Sequence, residues 1–358
     1  MSFAIYLVSD ERFMLVALAQ AERLAEQWGC DVHVFLEDER LSSAPRVGSA
    51  RVRVHLNEIC ATLPEGVPLS GKWPKVVYSR NHVPDLLDGY DRLLYLDVDI
   101  LPLKADESLW DIEIPGGLGA VADAATLHRG PLDTGLPRDR WLDGIGVKSG
   151  RYFNSGMLLI EPRKWDAARI HAALSDYFRG RQVRAIKSQD FLNHLYDGQW
   201  TELSPRWNFQ PPLFELGLES QIDPVFLHFC NRIKPWFFPG FPGASGQRAE
   251  HENAFFEMIL SAGIAPKDVA EMDEYRSGRQ ARKAIRAFLA RIGIRSGRQR
   301  AEMTSWNERS SRIGQYLLEQ VNAGSFADSI PHGTSRPTPR SLRFDGQSVR
   351  FEGETISQ

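Results

Sequence analysis

The sequence predicts an α/β fold: a mostly parallel central sheet flanked by helices, with a helical, basic C-terminal extension. Three observations lead there. Short apolar runs of strand character alternate with longer amphipathic stretches at helical spacing, the pattern of successive β–α–β units. Several of the apolar runs stop abruptly on an acid or imidazole, and the carboxyl ends of strands are where open α/β sheets place their ligands. The 358 residues, 42% hydrophobic and 25% charged, have the composition of an ordinary globular protein and suffice for a full core.

Residues 3–8 read as the first strand, with Asp10 just beyond it. Residues 11–28 read as a helix, with Phe13, Val16, Leu18, Ala21 and Leu24 on its apolar side. Residues 31–36 alternate toward a second strand, and Pro64, Pro68 and Pro74 mark a loop over 64–75. A helix carrying Arg80 then leads into the apolar strand Leu93, Leu94, Tyr95 and Leu96. Gly119 to Ala122 form a small-residue strand closed by Asp123, and Met157 to Ile160 form another, preceded by Asn154. Residues 126–150, rich in Gly and charge, look like a surface excursion placed to order over substrate. Ser188 reads as the cap of a helix that carries Gln189 and Asp190, and Val225, Phe226 and Leu227 as a strand ending at His228.

Asp97 and Asp99, separated by Val98, carry the most chemistry. On a strand, the side-chain period of two would put both acids on one face. Paired carboxylates suit a hard cation such as Mg²⁺ or Mn²⁺, which could clamp a diphosphate leaving group. The bland alternative is a solvated strand-end turn. His228 could be a third ligand or a structural histidine. Lys234 could neutralise a diphosphate or be a solvated surface lysine. Asn154 could bond sugar hydroxyls or simply favour a turn. Gln189 and Asp190 could act on a substrate or serve the helix start. The rigid fork of Arg80 suits oxygen ligands, or an ion pair with an acid such as Asp85.

Four segments occurring in order resemble the retaining glycosyltransferases of family 8: YDRLLYLDVDILPL at 90–103, YFNSGMLLIEPRKW at 152–165, SQDFLN at 188–193 and HFCNRIKPW at 228–236. The start IYLVSDERF, residues 5–13, is also similar to the family's first strand. The match runs from about residue 3 to about residue 240. The resemblance implies a GT-A-type nucleotide-sugar-binding fold and a UDP-sugar donor. It implies Asp97, Asp99 and His228 as ligands of Mn²⁺ or Mg²⁺. It further implies Asp10, Arg80, Asp97, Val98, Asp123, Asn154, Gln189 and Lys234 as donor-binding residues, and Gln189, Asp190 and Lys234 as the catalytic set. The chain departs from the family at two positions. Ser188 stands where the family often has Asp, which leaves the donor sugar open, and Asn231 stands where it often has Gly.

Three cysteines, Cys30, Cys60 and Cys230, form neither a disulfide framework nor a zinc spacing, as suits a reducing compartment. No signal peptide or long apolar span is legible. Residues 276–300 hold nine Lys or Arg and no acid, against a formal net charge of −3 for the whole chain. Ala281, Ile285, Phe288, Leu289 and Ile292 recur there at helical spacing, so this stretch suits an anionic membrane surface or a face docked on the catalytic part. Nucleic-acid binding is disfavoured because no recognition motif accompanies the charge.

The expected organisation is a catalytic domain over 1–245, a helical basic extension over 246–324 and a poorly ordered tail over 325–358. The expected activity is metal-dependent transfer of galactose or glucose from a UDP-sugar to a saccharide acceptor such as lipopolysaccharide, in the cytoplasm or on the inner membrane face. A non-catalytic nucleotide-sugar-binding protein is the alternative from another class. A nucleotidyltransferase is less favoured, because residues 9–13 lack its Gly-rich loop.

Overall fold

The computed structural model describes residues 1–59, 67, 75–127, 135–180, 187–230, 234–235, 247–265, 268, 297–329, 342–345 and 348–351. Strands β1 (Phe3–Asp10), β2 (Asp31–Glu37), β3 (Val52–Leu56), β4 (Arg92–Leu96), β6 (Leu118–Ala122), β7 (Phe153–Ile160) and β8 (Thr201–Glu202) form one sheet in the order β3-β2-β1-β4-β7-β6-β8. Only β7 runs against its neighbours; the pairs β1–β2, β1–β4, β2–β3 and β6–β8 are parallel. Two further strands, β5 (Ile100–Pro102) and β9 (Phe226–His228), pair antiparallel as a separate ribbon.

Alternation along each strand divides the core. Tyr6, Leu93 and Tyr95 face one side, with Ile170 and Leu174 of α5 (Ala167–Gly180) and Phe191 of α6 (Lys187–Leu195). Ile5, Leu7, Leu94 and Leu96 face the other, with Ala17, Ala21 and Leu24 of α1 (Met14–Trp28). Burying both faces requires near-continuous apolar strands, which these are. The first helix begins at Met14, after a turn over 11–13. The helical segment before β4 is three short pieces: α2 (Val76–Ser79), a 3-10 turn (Arg80–His82) and α3 (Val83–Leu86). Strand β3 was not foreseen, because Arg51 and Arg53 flank Val52 and mask its apolar pattern.

The C-terminal helices share this core. In α9 (Gln247–Ser261), Phe255, Met258 and Ile259 pack with Val16, Leu101, Phe209 and Leu227; Ile313 and Leu317 of α10 (Gly297–Asn322) join them. The Cβ that Gly314 lacks would lie 2.6 Å from Leu216 Cδ1. Of the basic stretch 276–300, only 297–300 are described, as the start of α10. Beyond 325, Phe326 is buried in the same cluster, and Asp328 accepts from Ser204 N at 3.0 Å and from Trp207 Nε1 at 2.9 Å. Residues 342–345 and 348–351 pair as an antiparallel hairpin (β10 and β11). Among the described residues no helix is long and apolar enough to cross a membrane.

Asp328 ties the chain after α10 to the backbone of Ser204 and the indole of Trp207. Asp328→Ala should lower the unfolding free energy by about 2 kcal/mol, the scale of charge-assisted hydrogen bonds lost from buried donors. Denaturant titration measures this, and an unchanged midpoint would show that the tie carries no stability.

Candidate active site

Asp97 and Asp99 lie on a turn between β4 and β5, closed by Ile100 N donating to Asp97 O at 3.1 Å. They converge because the chain reverses there, so strand alternation is not the cause of their shared face. The ribbon then supplies the imidazole. Ile100 pairs with His228, and Phe229 N donates to Asp99 O at 3.0 Å, setting the end of β9 against the turn. Ligand atoms of Asp97, Asp99 and His228 all lie within 4.8 Å of one another. His228 Nε2 is 3.1 Å from Asp99 Oδ1 and 3.9 Å from Asp97 Oδ2. Two carboxylates and one imidazole form a donor set suited to Mn²⁺ or Mg²⁺, with room in the coordination sphere for substrate oxygens.

Each acid also has a cationic neighbour. Lys234 bonds Asp99 Oδ2, and its Nζ donates to Phe229 O at 2.8 Å. Burial pushes the Asp99 carboxyl upward, but Lys234 and His228 outweigh it and hold it well below the ordinary carboxylate range. Arg80 is buried and donates through Nη1 to Asp97 Oδ1 (3.2 Å), Tyr95 Oη (3.2 Å) and Ser155 O (3.1 Å). Burial alone would lower the guanidinium pKa; Tyr95 and Asp97 overcome it, and the pKa is raised. Burial and the nearby Asp97 lift the Tyr95 phenol far above its usual range, so it keeps its proton and donates to Asp97 Oδ1 at 2.5 Å. The partner of Arg80 is therefore Asp97 rather than Asp85. Ser188 lies within α6, and its hydroxyl stands 3.3 Å from Arg80 Nη2.

A second group surrounds Asp123. Its Oδ2 accepts from Asn154 Nδ2 at 3.2 Å and from Gln189 Nε2 at 2.9 Å, and its Oδ1 accepts from Thr126 N at 3.1 Å. Asn154 belongs to β7 itself, not to a turn before it. The β6–β7 register shifts from Ala120↔Leu158 to Val121↔Asn154, and this bulge re-aims the amide toward Asp123. Gln189 Oε1 accepts from Ser155 N at 2.9 Å. Asp190 is fully buried and accepts from Tyr152 Oη at 2.7 Å. Asp10 ends β1 and is gripped by its neighbour Arg12, with Nε at 2.9 Å and Nη2 at 2.5 Å from Oδ2. Val98 is half-buried and packs against the core.

Sequence reasoning missed the residues that hold this group in place. Gln20 of α1 donates to Asp97 O at 3.1 Å. Asn193 takes Phe153 N on its Oδ1 at 2.7 Å and donates to Gln189 O at 3.0 Å. Asn208 joins His228 to Asn154. Gly156 leaves the space that Asp97 and His228 occupy: a Cβ there would lie 2.2 Å from His228 Cε1 and 2.8 Å from Asp97 Oδ2. Of these, Gly156 and Asn193 left a sequence signal, their places inside the segments YFNSGMLLIEPRKW and SQDFLN. Asn231 lies outside the described residues.

The model of glycosyl transferase family 8 matches residues 35–239, and the chain belongs to that family. General stress protein A of Bacillus subtilis (strain 168) is 30% identical over 204 residues, 52% of this chain and 67% of that protein. The lipopolysaccharide glucosyltransferase WaaO of Escherichia coli (strain K12) is 28% identical over 244 residues, 64% of this chain and 70% of that protein. Among solved structures, the galactosyltransferase LgtC in complex with donor and acceptor sugar analogs superposes with a TM-score of 0.55 at 21% identity, over 75% of this chain and 99% of that chain. This likeness shows the fold, GT-A-like with a mostly parallel sheet. The protein is a glycosyltransferase.

Gly156→Ala tests the packing. The ring of His228 is bonded at both nitrogens and cannot retreat without losing a partner. The variant should bind Mn²⁺ about tenfold or more weakly while keeping its far-UV circular dichroism. Wild-type affinity in a titration would contradict the close approach.

Proposed function

We propose that this protein is a metal-dependent, retaining hexosyltransferase that moves galactose or glucose from a UDP-sugar to a saccharide acceptor. The observation that carries the proposal is the convergence of Asp97, Asp99 and His228 beside Lys234, in a chain of this family. A divalent cation held by those three ligands would neutralise the diphosphate and make UDP a better leaving group. Lys234 steadies the charge that builds on the departing UDP. Asp10, Val98 and Arg80 serve the nucleotide and diphosphate side, Arg80 chiefly by holding Asp97. Asp123, Asn154 and Gln189 bind the donor sugar. The neutral Ser188 beside Arg80 leaves the sugar's identity to a test against a panel of donors.

Retention follows from the family resemblance. Gln189 is a neutral amide and Asp190 is buried against Tyr152, so neither presents a carboxylate nucleophile to the sugar. This supports attack by the acceptor hydroxyl from the leaving-group side. Asp190 then acts by holding the start of α6 and thereby Gln189. All the proposed catalytic and donor-binding residues precede residue 245, which supports a catalytic part over 1–245 with 246–324 as an extension and 325–358 as a tail.

The names of the two Escherichia coli relatives, lipopolysaccharide glucosyltransferase WaaO and lipopolysaccharide 1,2-glucosyltransferase, support lipopolysaccharide as the acceptor; the three cysteines, with no disulfide framework, support the cytoplasm as the compartment. The basic stretch 276–300 supports peripheral attachment to the inner membrane face. Co-sedimentation with vesicles should rise with anionic lipid and fall with salt; indifference to both would remove the attachment.

Hydrolysis of UDP-galactose and UDP-glucose without acceptor, with Mn²⁺ or with EDTA, tests the activity. Wild type should turn over one donor only with metal, and Asp99→Asn should be inactive though folded. Full turnover in EDTA would refute the metal assignment. Lys234→Ala should lower kcat by about 10²-fold, the scale of losing one electrostatic donor at a developing charge. A raised donor KM at unchanged kcat would confine Lys234 to binding.

A further inference from the structure

We propose that Asn208 is a positioning residue that fixes the tautomer of His228 with its amide oxygen, the amide itself being oriented by a relay running from Asp123. The proposal rests on the metal-site assignment above and concerns which ring nitrogen is free to serve it.

Asn208 is fully buried between a 3-10 turn (Pro205–Trp207) and Phe209, whose backbone brackets β9: Phe209 N donates to Phe226 O at 2.8 Å, and Phe209 O accepts from His228 N at 2.9 Å. That ladder places the Asn208 side chain beside the His228 ring. The bond directions follow from the ends of the relay. Asp123 has only acceptors to offer, so Asn154 presents Nδ2 to it, at 3.2 Å. Asn154 Oδ1 is thereby turned inward, and Gly156 N donates to the same oxygen at 3.0 Å, which pins the amide a second time. Asn208 must then present Nδ2 to Asn154 Oδ1, at 3.0 Å. Its Oδ1 faces His228 Nδ1 at 2.9 Å. An amide oxygen cannot donate, so Nδ1 must carry a proton.

The consequence falls on Nε2, which faces Asp99 and Asp97. With Nδ1 held by Asn208, Nε2 is the nitrogen turned to the two carboxylates, and its proton, bonded to Asp99 while no cation is there, is the one a cation would displace. Loss of that proton leaves the lone pair of a neutral ring between the two acids, the arrangement a cation joining the three groups requires. The opposite tautomer would turn its lone pair to Asn208 Oδ1 and offer none to the cation. Ligating histidines are commonly fixed in this way by a carbonyl or carboxylate on the other nitrogen. Here the fixing group is a side-chain amide, oriented by the same acid that holds Gln189. One polar chain thus spans the donor-sugar side and the cation side of the site.

The experiment combines ¹⁵N NMR of the histidine rings in the metal-free protein with Mn²⁺ titration followed by EPR, both without donor. In wild type the neutral His228 ring should carry its proton on Nδ1. Asn208→Leu should move the proton to Nε2 and weaken Mn²⁺ binding about tenfold or more. Asn208→Asp gives up the bond to Asn154 but still offers an acceptor to Nδ1, and should keep both the wild-type tautomer and Mn²⁺ binding within about threefold of wild type. A loss of fold would depress both variants together, whereas an acceptor facing Nδ1 separates them. A neutral wild-type ring protonated on Nε2 alone, equal Mn²⁺ affinity in wild type and Asn208→Leu, or equal losses in both variants would overturn the proposal. Absence of Mn²⁺ binding by wild type with an Nδ1–H ring would instead refute the metal assignment and leave the tautomer inference standing.

Discussion

Two carboxylates and an imidazole held within 4.8 Å of one another repel or compete unless something cationic joins them. Much of the structure around the site answers that constraint. Arg80 and the Tyr95 hydroxyl occupy one oxygen of Asp97, and Lys234 occupies one oxygen of Asp99. The remaining oxygens, Asp97 Oδ2 and Asp99 Oδ1, look toward His228 Nε2. Neutralisation is therefore partial and directional: the outer edges of the acids are paired and the inner edges are left for a ligand.

The fold delivers these groups from distant parts of the chain. Strand β4 carries Tyr95 and leads into the acidic turn; the ribbon β5–β9 returns His228 across more than a hundred residues of sequence. Gly156 on β7 makes space for the imidazole and accepts Asp97 N on its carbonyl at 2.7 Å. The helices after residue 246 pack beneath that ribbon, where Phe255, Ile259, Ile313 and Leu317 meet Leu101, Phe209 and Leu227. The C-terminal part thus supports the strand that holds a proposed ligand, even though it contributes none itself.

Much of this was legible in the sequence. Apolar runs buried on both faces announce a parallel sheet, and β1, β2 and β4 lie where those runs are. The residue types at 97, 99, 228 and 234 named the chemistry, and their order carried the family resemblance. What was not legible depends on contacts across the chain. The acidic pair reads as strand but folds as turn, because Ile100 leaves β4 to pair with β9. Asn154 reads as a turn residue but sits in a bulged strand, since a register shift has no local signature. Ser188 reads as a cap, yet its hydroxyl answers Arg80, 108 residues earlier. Asn208 and Gln20 are single polar residues in apolar surroundings, and only their three-dimensional partners give them a role. The stretch 276–300 was conspicuous by charge, and all but its last four residues lie outside those described.

The central claim is that Asp97, Asp99 and His228 form one cation site in a sugar-transferring enzyme. The most direct measurement is anomalous diffraction from crystals grown with Mn²⁺ and UDP. A single strong peak bounded by Asp97, Asp99 and His228 Nε2, with the UDP diphosphate against it and near Lys234, is the result predicted. A peak elsewhere, or bound UDP with no metal among these three residues, would contradict the claim.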